Sequence, residues 1–131
     1  MNRIVAELSA AGTFYIATVE DAQPRVRPFG AVIEYEGAPY LCTNNQKSVF
    51  KQLAANPRVE ICGMKQDGTW VRVTGNLVRD DSAAARAAML EGVPSLRRMY
   101  SVDDGIFEVL RLENATAMLY SFGADPVVIT E

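Results

Sequence analysis

A polar segment from Thr43 to Ser48 has the residue types and spacing with the clearest chemical potential in the sequence. It follows an apolar run and precedes residues with helical spacing, so a strand end, a turn and a helix start are predicted to meet here. Free backbone N–H groups and the positive end of the helix dipole favour an anion at such a place. Lys47 adds a charge and Ser48 a donor, which together predict a phosphate site. Plain helix capping by Ser48, with Lys47 in solvent, fits the same residues.

Two arginines are a second candidate for contact with an anion. Arg25 and Arg27 are two residues apart in a predicted strand, so their side chains share one face with Phe29. A barrel interior would not hold two unpaired guanidinium groups, so they must face solvent, a carboxylate or a bound anion. We predict that this strand lies beside the one that ends at Thr43, which would bring the arginines to Lys47. A solvated edge strand is the alternative.

Trp70 begins a third segment of interest, which runs to Gly75. In a strand, Trp70 and Arg72 lie on the face opposite Val71 and Val73. Trp70 is therefore either a core residue or a flank for a flat ligand.

Composition excludes several kinds of site. The 131 residues include no histidine, which excludes Ser-His-Asp and Cys-His nucleophilic sites, histidine-ligated zinc and histidine-ligated haem. Cys42 and Cys62 are too far apart for a CxxC motif, and we expect reduced, buried thiols and no metal site. Lys and Arg number 13 and Asp and Glu 16, so the net charge is −3. This balance argues against general binding to nucleic acid or to an anionic membrane.

Strands predominate among the elements that would position these residues. The predicted strands are 13–19, 25–35, 39–43, 59–65 and 69–79, with one or two more in 105–122 before a loose tail. Helical spacing predicts a leading helix in 2–11, a short helix ended by Asn56-Pro57, a helix over 82–90 and a short one reaching Tyr100. The first three strands are predicted to form an antiparallel meander, and Asp67-Gly68 to turn a hairpin.

These elements predict one domain over residues 1–131, because a chain of this length has the usual size of a single core. The fold class is mainly β with a few short helices: about six antiparallel strands in a small closed barrel, since closure removes exposed edges. No run approaches the roughly 18 apolar residues that cross a membrane, and the first 11 residues lack a secretory signal pattern. We expect a cytoplasmic protein.

An ordered set of four segments resembles the pyridoxamine 5'-phosphate oxidase-like, FMN-binding split-barrel family. Each segment alone is a weak motif, but their order and spacing are fairly specific, and the similarity runs from about Phe14 to Arg79. The segments are Arg25–Gly30, Tyr40–Thr43, Lys47-Ser48 with Asn56-Pro57, and Trp70–Gly75. The resemblance implies a six-stranded split barrel that forms a homodimer, with two flavins bound at the subunit interface.

The resemblance also implies roles for individual residues toward FMN. Lys47 and Ser48 would hold the phosphate, and Trp70 would approach the flavin from the partner subunit. Because Arg25 and Arg27 form a cationic pair on one strand, we predict that one of them helps to bind the phosphate. Longer members of the family use a C-terminal arginine and histidine to hold pyridoxamine phosphate, and this chain has no histidine. We therefore do not expect pyridoxamine phosphate oxidase activity. The remaining implied contacts are Arg27, Pro28 and Phe29 along the flavin, and Thr43 and Asn44 near its ring or ribityl chain.

Three possibilities for the function remain open. An FMN-dependent oxidoreductase suits a chain without obvious acid–base residues, because the flavin carries the electrons while the protein binds and orients it. A non-catalytic flavin-binding or stress-associated module is the alternative, since no pattern identifies a substrate pocket. A deazaflavin (F420) or haem on the same barrel is a third. No catalytic residue is predicted, and Tyr35, Tyr40 and water are the candidate proton donors.

Overall fold

The structure is a computed structural model, and it describes residues 2–129. None of its helices is long and apolar enough to span a bilayer. In chain order the elements are α1 (Arg3–Ala11), β1 (Phe14–Glu20), β2 (Gln23–Phe29), β3 (Ile33–Tyr35), β4 (Ala38–Asn44), α2 (Ser48–Ala55), β5 (Arg58–Met64), β6 (Trp70–Asp80), α3 (Ala83–Gly92), a 3-10 helix (Pro94–Arg98), β7 (Phe107–Ser121) and β8 (Ala124–Ile129).

The strands form one antiparallel sheet in the order β2-β1-β5-β6-β7-β4-β3, with β8 paired to β7. The two edge strands, β2 and β3, are connected along the chain by residues 30–32. Within residues 2–129 they form no hydrogen-bonded ladder with each other. Pro24 and Pro28 lie on β2 and cannot donate to a further strand, which accounts for the break. The mainly β split-barrel class is thus confirmed, whereas full closure of the barrel is a wrong prediction.

The predicted meander of the first three strands is also wrong. The long strand 25–35 is divided into β2 and β3, and these pair with β1 and β4 respectively. The strand that carries Arg27 is therefore not hydrogen-bonded to the one that ends near Thr43, and the two meet across the split instead. The predicted loose tail is β8, which follows a tight turn at Gly123 with φ of 83°. These two differences raise the strand count from about six to eight.

Two hydrophobic cores lie on either side of β4. Leu41 faces the first core, inside the barrel, together with Val49 and Leu53 of α2. Tyr40 and Cys42 face the second core, which α3 covers from outside with Met89 among its buried residues. Because successive side chains of a strand point to opposite faces, β4 is buried on both sides.

Residues 81–106, here called the insert, connect β6 to β7 and carry α3 and the 3-10 helix. The insert packs closely on β3 at Gly92, where an added Cβ would lie 2.6 Å from Ile33 Cγ2. A larger residue at this position would have to displace the Ile33 side chain. The insert is thereby held over the same end of the barrel as the split.

Candidate functional site

A cavity at the split has a volume of about 340 Å³, which falls in the usual range for small-molecule sites. The end of β2, the end of β4, the start of α2 and the insert all contribute to it. Its lining comprises Arg27, Pro28, Phe29, Gly30, Ala31, Cys42, Thr43, Lys47, Val49, Val93, Ser95, Leu96, Met99 and Tyr100.

Arg27 is held in the cavity wall by neutral partners. Its Nη1 donates to Ile16 O at 3.1 Å and to Thr18 Oγ1 at 2.8 Å, and its Nη2 donates to Gln52 Oε1 at 2.7 Å. Burial lowers the pKa of Arg27 from its usual value. No carboxylate of residues 2–129 forms an ion pair with Arg27. The guanidinium is fixed in place while its charge is left available to an anion.

Lys47 supplies the second cation of the cavity, at the start of α2. It is the N-cap residue, but its side chain makes no capping hydrogen bond. The turn before it is closed by Asn44, whose Oδ1 accepts from the backbone N of Gln46 at 3.0 Å. Ser48 is the first residue of the helix rather than its cap, so the plain capping alternative for Ser48 is wrong. The first N–H groups of α2 are left for water or a ligand.

Two small side chains near the end of β4 also line the cavity. Thr43 is 5% exposed and its hydroxyl has no hydrogen-bond partner within residues 2–129, an uncommon condition for a buried polar atom. Cys42 is buried beside it, and burial raises the pKa of its thiol to about 11 although Lys47 acts in the opposite direction. Cys42 is therefore a neutral thiol at physiological pH and a poor nucleophile.

The opposite side of the cavity is apolar and belongs to the insert. It is formed by Val93, Leu96, Met99 and Tyr100, of which all but Met99 pack against the second core. The Tyr100 ring stacks on Phe107 with 4.8 Å between centroids. We call this side the apolar wall, and the side with Arg27, Thr43 and Lys47 the cationic wall.

One hydrogen bond connects the two walls. Asn44 Nδ2 donates to the Tyr100 hydroxyl at 2.9 Å, across 56 residues of sequence. Asn44 thereby joins the turn before Lys47 to the insert. The cavity combines fixed positive charge with an apolar, partly aromatic surface, which suits a flat ligand that carries an anionic group.

Comparison with protein families identifies the family to which the chain belongs. A family model described as pyridoxamine 5'-phosphate oxidase matches residues 1–116. The chain belongs to the pyridoxamine 5'-phosphate oxidase family. No curated protein sequence is significantly similar to it.

Solved structures extend this family likeness. A NimC/NimA family protein from Clostridium acetobutylicum is 49% identical, with a TM-score of 0.92 over 97% of this chain and 91% of that chain. A pyridoxamine 5'-phosphate oxidase-related, FMN binding protein from Nostoc punctiforme is 17% identical, with a TM-score of 0.66 over 98% and 94%. A heme binding protein from Mycobacterium smegmatis is 23% identical, with a TM-score of 0.73 over 95% and 57%. The last two likenesses concern the fold.

Of the site residues suggested by resemblance to the family, five come together in the cavity. They are Arg27, Pro28, Phe29, Thr43 and Lys47. Asn44 and Ser48 flank this set along the chain, as described above.

Arg25 and Trp70 lie apart from the cavity lining. Arg25 is about half exposed and pairs with Glu20 at 3.0 Å. Trp70 stacks on Tyr120 with 5.7 Å between ring centroids and contacts the exposed Phe122 ring at 5.0 Å.

The candidate proton donors also differ from the sequence prediction. Tyr40 faces the second core and donates to Asp80 Oδ2 at 2.7 Å. Burial and this hydrogen bond raise its pKa to about 12. Tyr35 packs edge-on against Tyr40, and neither ring lines the cavity. Tyr100, which the sequence reasoning did not single out, is the tyrosine that does.

Proposed function

We propose that this chain binds FMN in the cavity at the split and acts as an FMN-dependent oxidoreductase. One observation carries the proposal: Arg27 and Lys47, two cations without acidic partners among residues 2–129, lie in one cavity with the unpartnered hydroxyl of Thr43. A flavin ring with a terminal phosphate matches both the aromatic and the cationic parts of the lining. The FMN binding relative from Nostoc punctiforme supports this choice of cofactor.

The phosphate is proposed to bind at the start of α2. Lys47 offers an ammonium group, Ser48 a hydroxyl, and the first turn of the helix offers N–H groups and the positive end of its dipole. Arg27 would bind a second phosphate oxygen or the ribityl chain. Arg25 would have to leave Glu20, its present partner at 3.0 Å, so we assign the supporting cation to Arg27.

The flavin body is proposed to lie along Pro28 and Phe29, with Thr43 and Asn44 near its ring or ribityl chain. FMN would supply the transfer of electrons between a reduced donor and a small molecule. The protein's own part is to bind and orient the ring and to exclude water. Phe29 contributes to both, because it packs on the barrel core and lines the cavity.

We further propose a homodimer with the flavin at the subunit interface. The outer face of the sheet carries Trp70, Met64 and Tyr120 side by side in adjacent strands, and Met64 and Phe122 are exposed. Aromatic residues and methionine are enriched at such interfaces. Trp70 of one subunit would approach the flavin of the other. Equilibrium sedimentation at micromolar concentration tests this, and a monomer that retains flavin would contradict it.

A visible spectrum of the purified protein and titrations with FMN and riboflavin test the cofactor. A flavin spectrum and tighter binding of FMN than of riboflavin are expected, because only FMN offers a phosphate to Lys47. A haem or deazaflavin spectrum, or equal affinity for both flavins, would overturn the assignment.

A kinetic experiment separates catalysis from passive binding. Bound flavin is reduced anaerobically and mixed with candidate acceptors. An oxidoreductase should reoxidise faster with one of them than with oxygen alone. Reoxidation by oxygen alone across a broad panel would instead favour the non-catalytic module.

A further inference from the structure

A polar cluster outside the cavity lining joins three parts of the chain. Glu108 of β7 is only 4% exposed, and its carboxylate accepts from Arg79 of β6 through Nε at 2.7 Å and Nη2 at 3.2 Å. Asn45 Nδ2 donates to Glu108 Oε2 at 2.9 Å. A two-pronged guanidinium–carboxylate pair of this kind fixes geometry as well as charge.

This cluster contacts the chain on both sides of Lys47. On the N-terminal side of Lys47, Asn45 is held to the residues just before β7. Its backbone N donates to Ile106 O at 2.9 Å, and its side chain donates to Gly105 O at 2.8 Å. After Lys47, the Arg79 guanidinium lies 5.9 Å from the centre of the Phe50 ring, within range of a cation–π contact. The ion pair therefore contacts both ends of the segment from Asn45 to Phe50: Glu108 contacts Asn45, and Arg79 contacts Phe50.

We propose that Arg79, Glu108 and Asn45 act as a positioning clamp for the phosphate-binding turn, an inference that rests on the proposed function. None of the three lines the cavity, so the clamp acts through Lys47, Ser48 and the first N–H groups of α2. Within the pair, the Arg79 guanidinium neutralises the buried Glu108 carboxylate.

A positioning role makes a prediction that a purely structural role does not. In the proposed binding mode the phosphate would touch the groups that the clamp positions, whereas the flavin ring would lie along Pro28 and Phe29. Loss of the clamp should therefore weaken FMN and spare riboflavin. Overall destabilisation would weaken both flavins alike.

The test compares Glu108→Gln and Asn45→Ala with a matched control, Glu7→Gln. Glu7 also has a mostly buried side chain and pairs with a cation, Lys65, at 2.7 Å, but it lies on α1. Because hydrogen bonds to charged groups each contribute substantially, Glu108→Gln should weaken FMN roughly tenfold or more and riboflavin less than about threefold. Asn45→Ala should show the same selectivity with a smaller loss, and Glu7→Gln should leave the ratio of the two affinities unchanged.

A second measurement needs no flavin. In the apoprotein, amide hydrogen exchange at Asn45 and Lys47 should be faster in Glu108→Gln and in Asn45→Ala than in wild type or Glu7→Gln. Equal losses of FMN and riboflavin, or unchanged affinities and exchange in both clamp variants, would overturn the clamp. A wild-type protein that does not prefer FMN would overturn the phosphate site alone, and the exchange rates would then decide the clamp.

Discussion

The two walls of the cavity are built in different ways. The cationic wall consists of charged and polar side chains held by local contacts: the Asn44 turn, the start of α2 and the bonds from Arg27 to neighbouring strands. The apolar wall consists of side chains from the insert whose positions depend on packing against the second core. The comparison shows that a ligand site can take its charge from short-range patterns and its shape from tertiary packing.

The largest expected effect removes the support of the apolar wall. Met89 of α3 is fully buried, so Met89→Ala should reduce the free energy of unfolding by about 2 to 5 kcal/mol, because a cavity remains. Met99 lies on the same insert but is 65% exposed, and Met99→Ala should change stability by less than about 0.5 kcal/mol. Urea denaturation measures both. Equal effects would show that the insert is not anchored through the second core.

The cationic wall should respond in affinity rather than in stability. Lys47→Ala removes the proposed charge-assisted contact to the phosphate and should weaken FMN roughly ten- to a hundredfold while barely altering riboflavin. Lys51→Ala, on the same helix and exposed, is the control and should alter neither. Isothermal titration calorimetry measures the affinities. Equal losses for both flavins would remove Lys47 from the phosphate site.

The hydrogen bond between the walls should have a smaller effect. Tyr100→Phe leaves the Asn44 amide without its partner at 2.9 Å, which should cost about 0.5 to 1.5 kcal/mol of flavin binding through a looser turn. Tyr35→Phe is the matched control, since the Tyr35 ring lies away from the cavity. If the two variants bind FMN equally well, the walls are not coupled through Asn44.

Cys42 should have the smallest effect at neutral pH, because its contribution is a pH dependence confined to alkaline conditions. Burial raises the pKa of its thiol from 9.0 to about 11. The folded protein therefore keeps this proton where the unfolded chain loses it, so the thiol's contribution to stability is complete below pH 9 and is lost as the pH rises toward 11. Urea denaturation of wild type and Cys42→Ala over this window should give diverging stabilities. Parallel curves would contradict the raised pKa.

The sequence allowed prediction of most of the cationic wall because its signals are local. The polar turn before Lys47 and the β-branched segments are short-range patterns, and the family resemblance added Pro28 and Phe29. Strand pairing was harder to predict from the sequence. Residues 30–32 divide the long predicted strand, and only tertiary contacts decide that β2 pairs with β1 and that β3 pairs with β4. The apolar wall was missed because Leu96, Met99 and Tyr100 have no pattern apart from that of a short helix, and Tyr100 contacts a partner 56 residues away.

The short link between β2 and β3 limits how the cavity can change shape. Residues 30–32 cross the split, and a chain of this length between Phe29 and Ile33 spans at most about 14 Å when fully stretched. The two free edges of the sheet are tethered at this point and cannot separate there by more than this distance. Any change in the size of the cavity is therefore expected at its other side, where the 3-10 helix Pro94–Arg98 and the exposed Met99 belong to the insert.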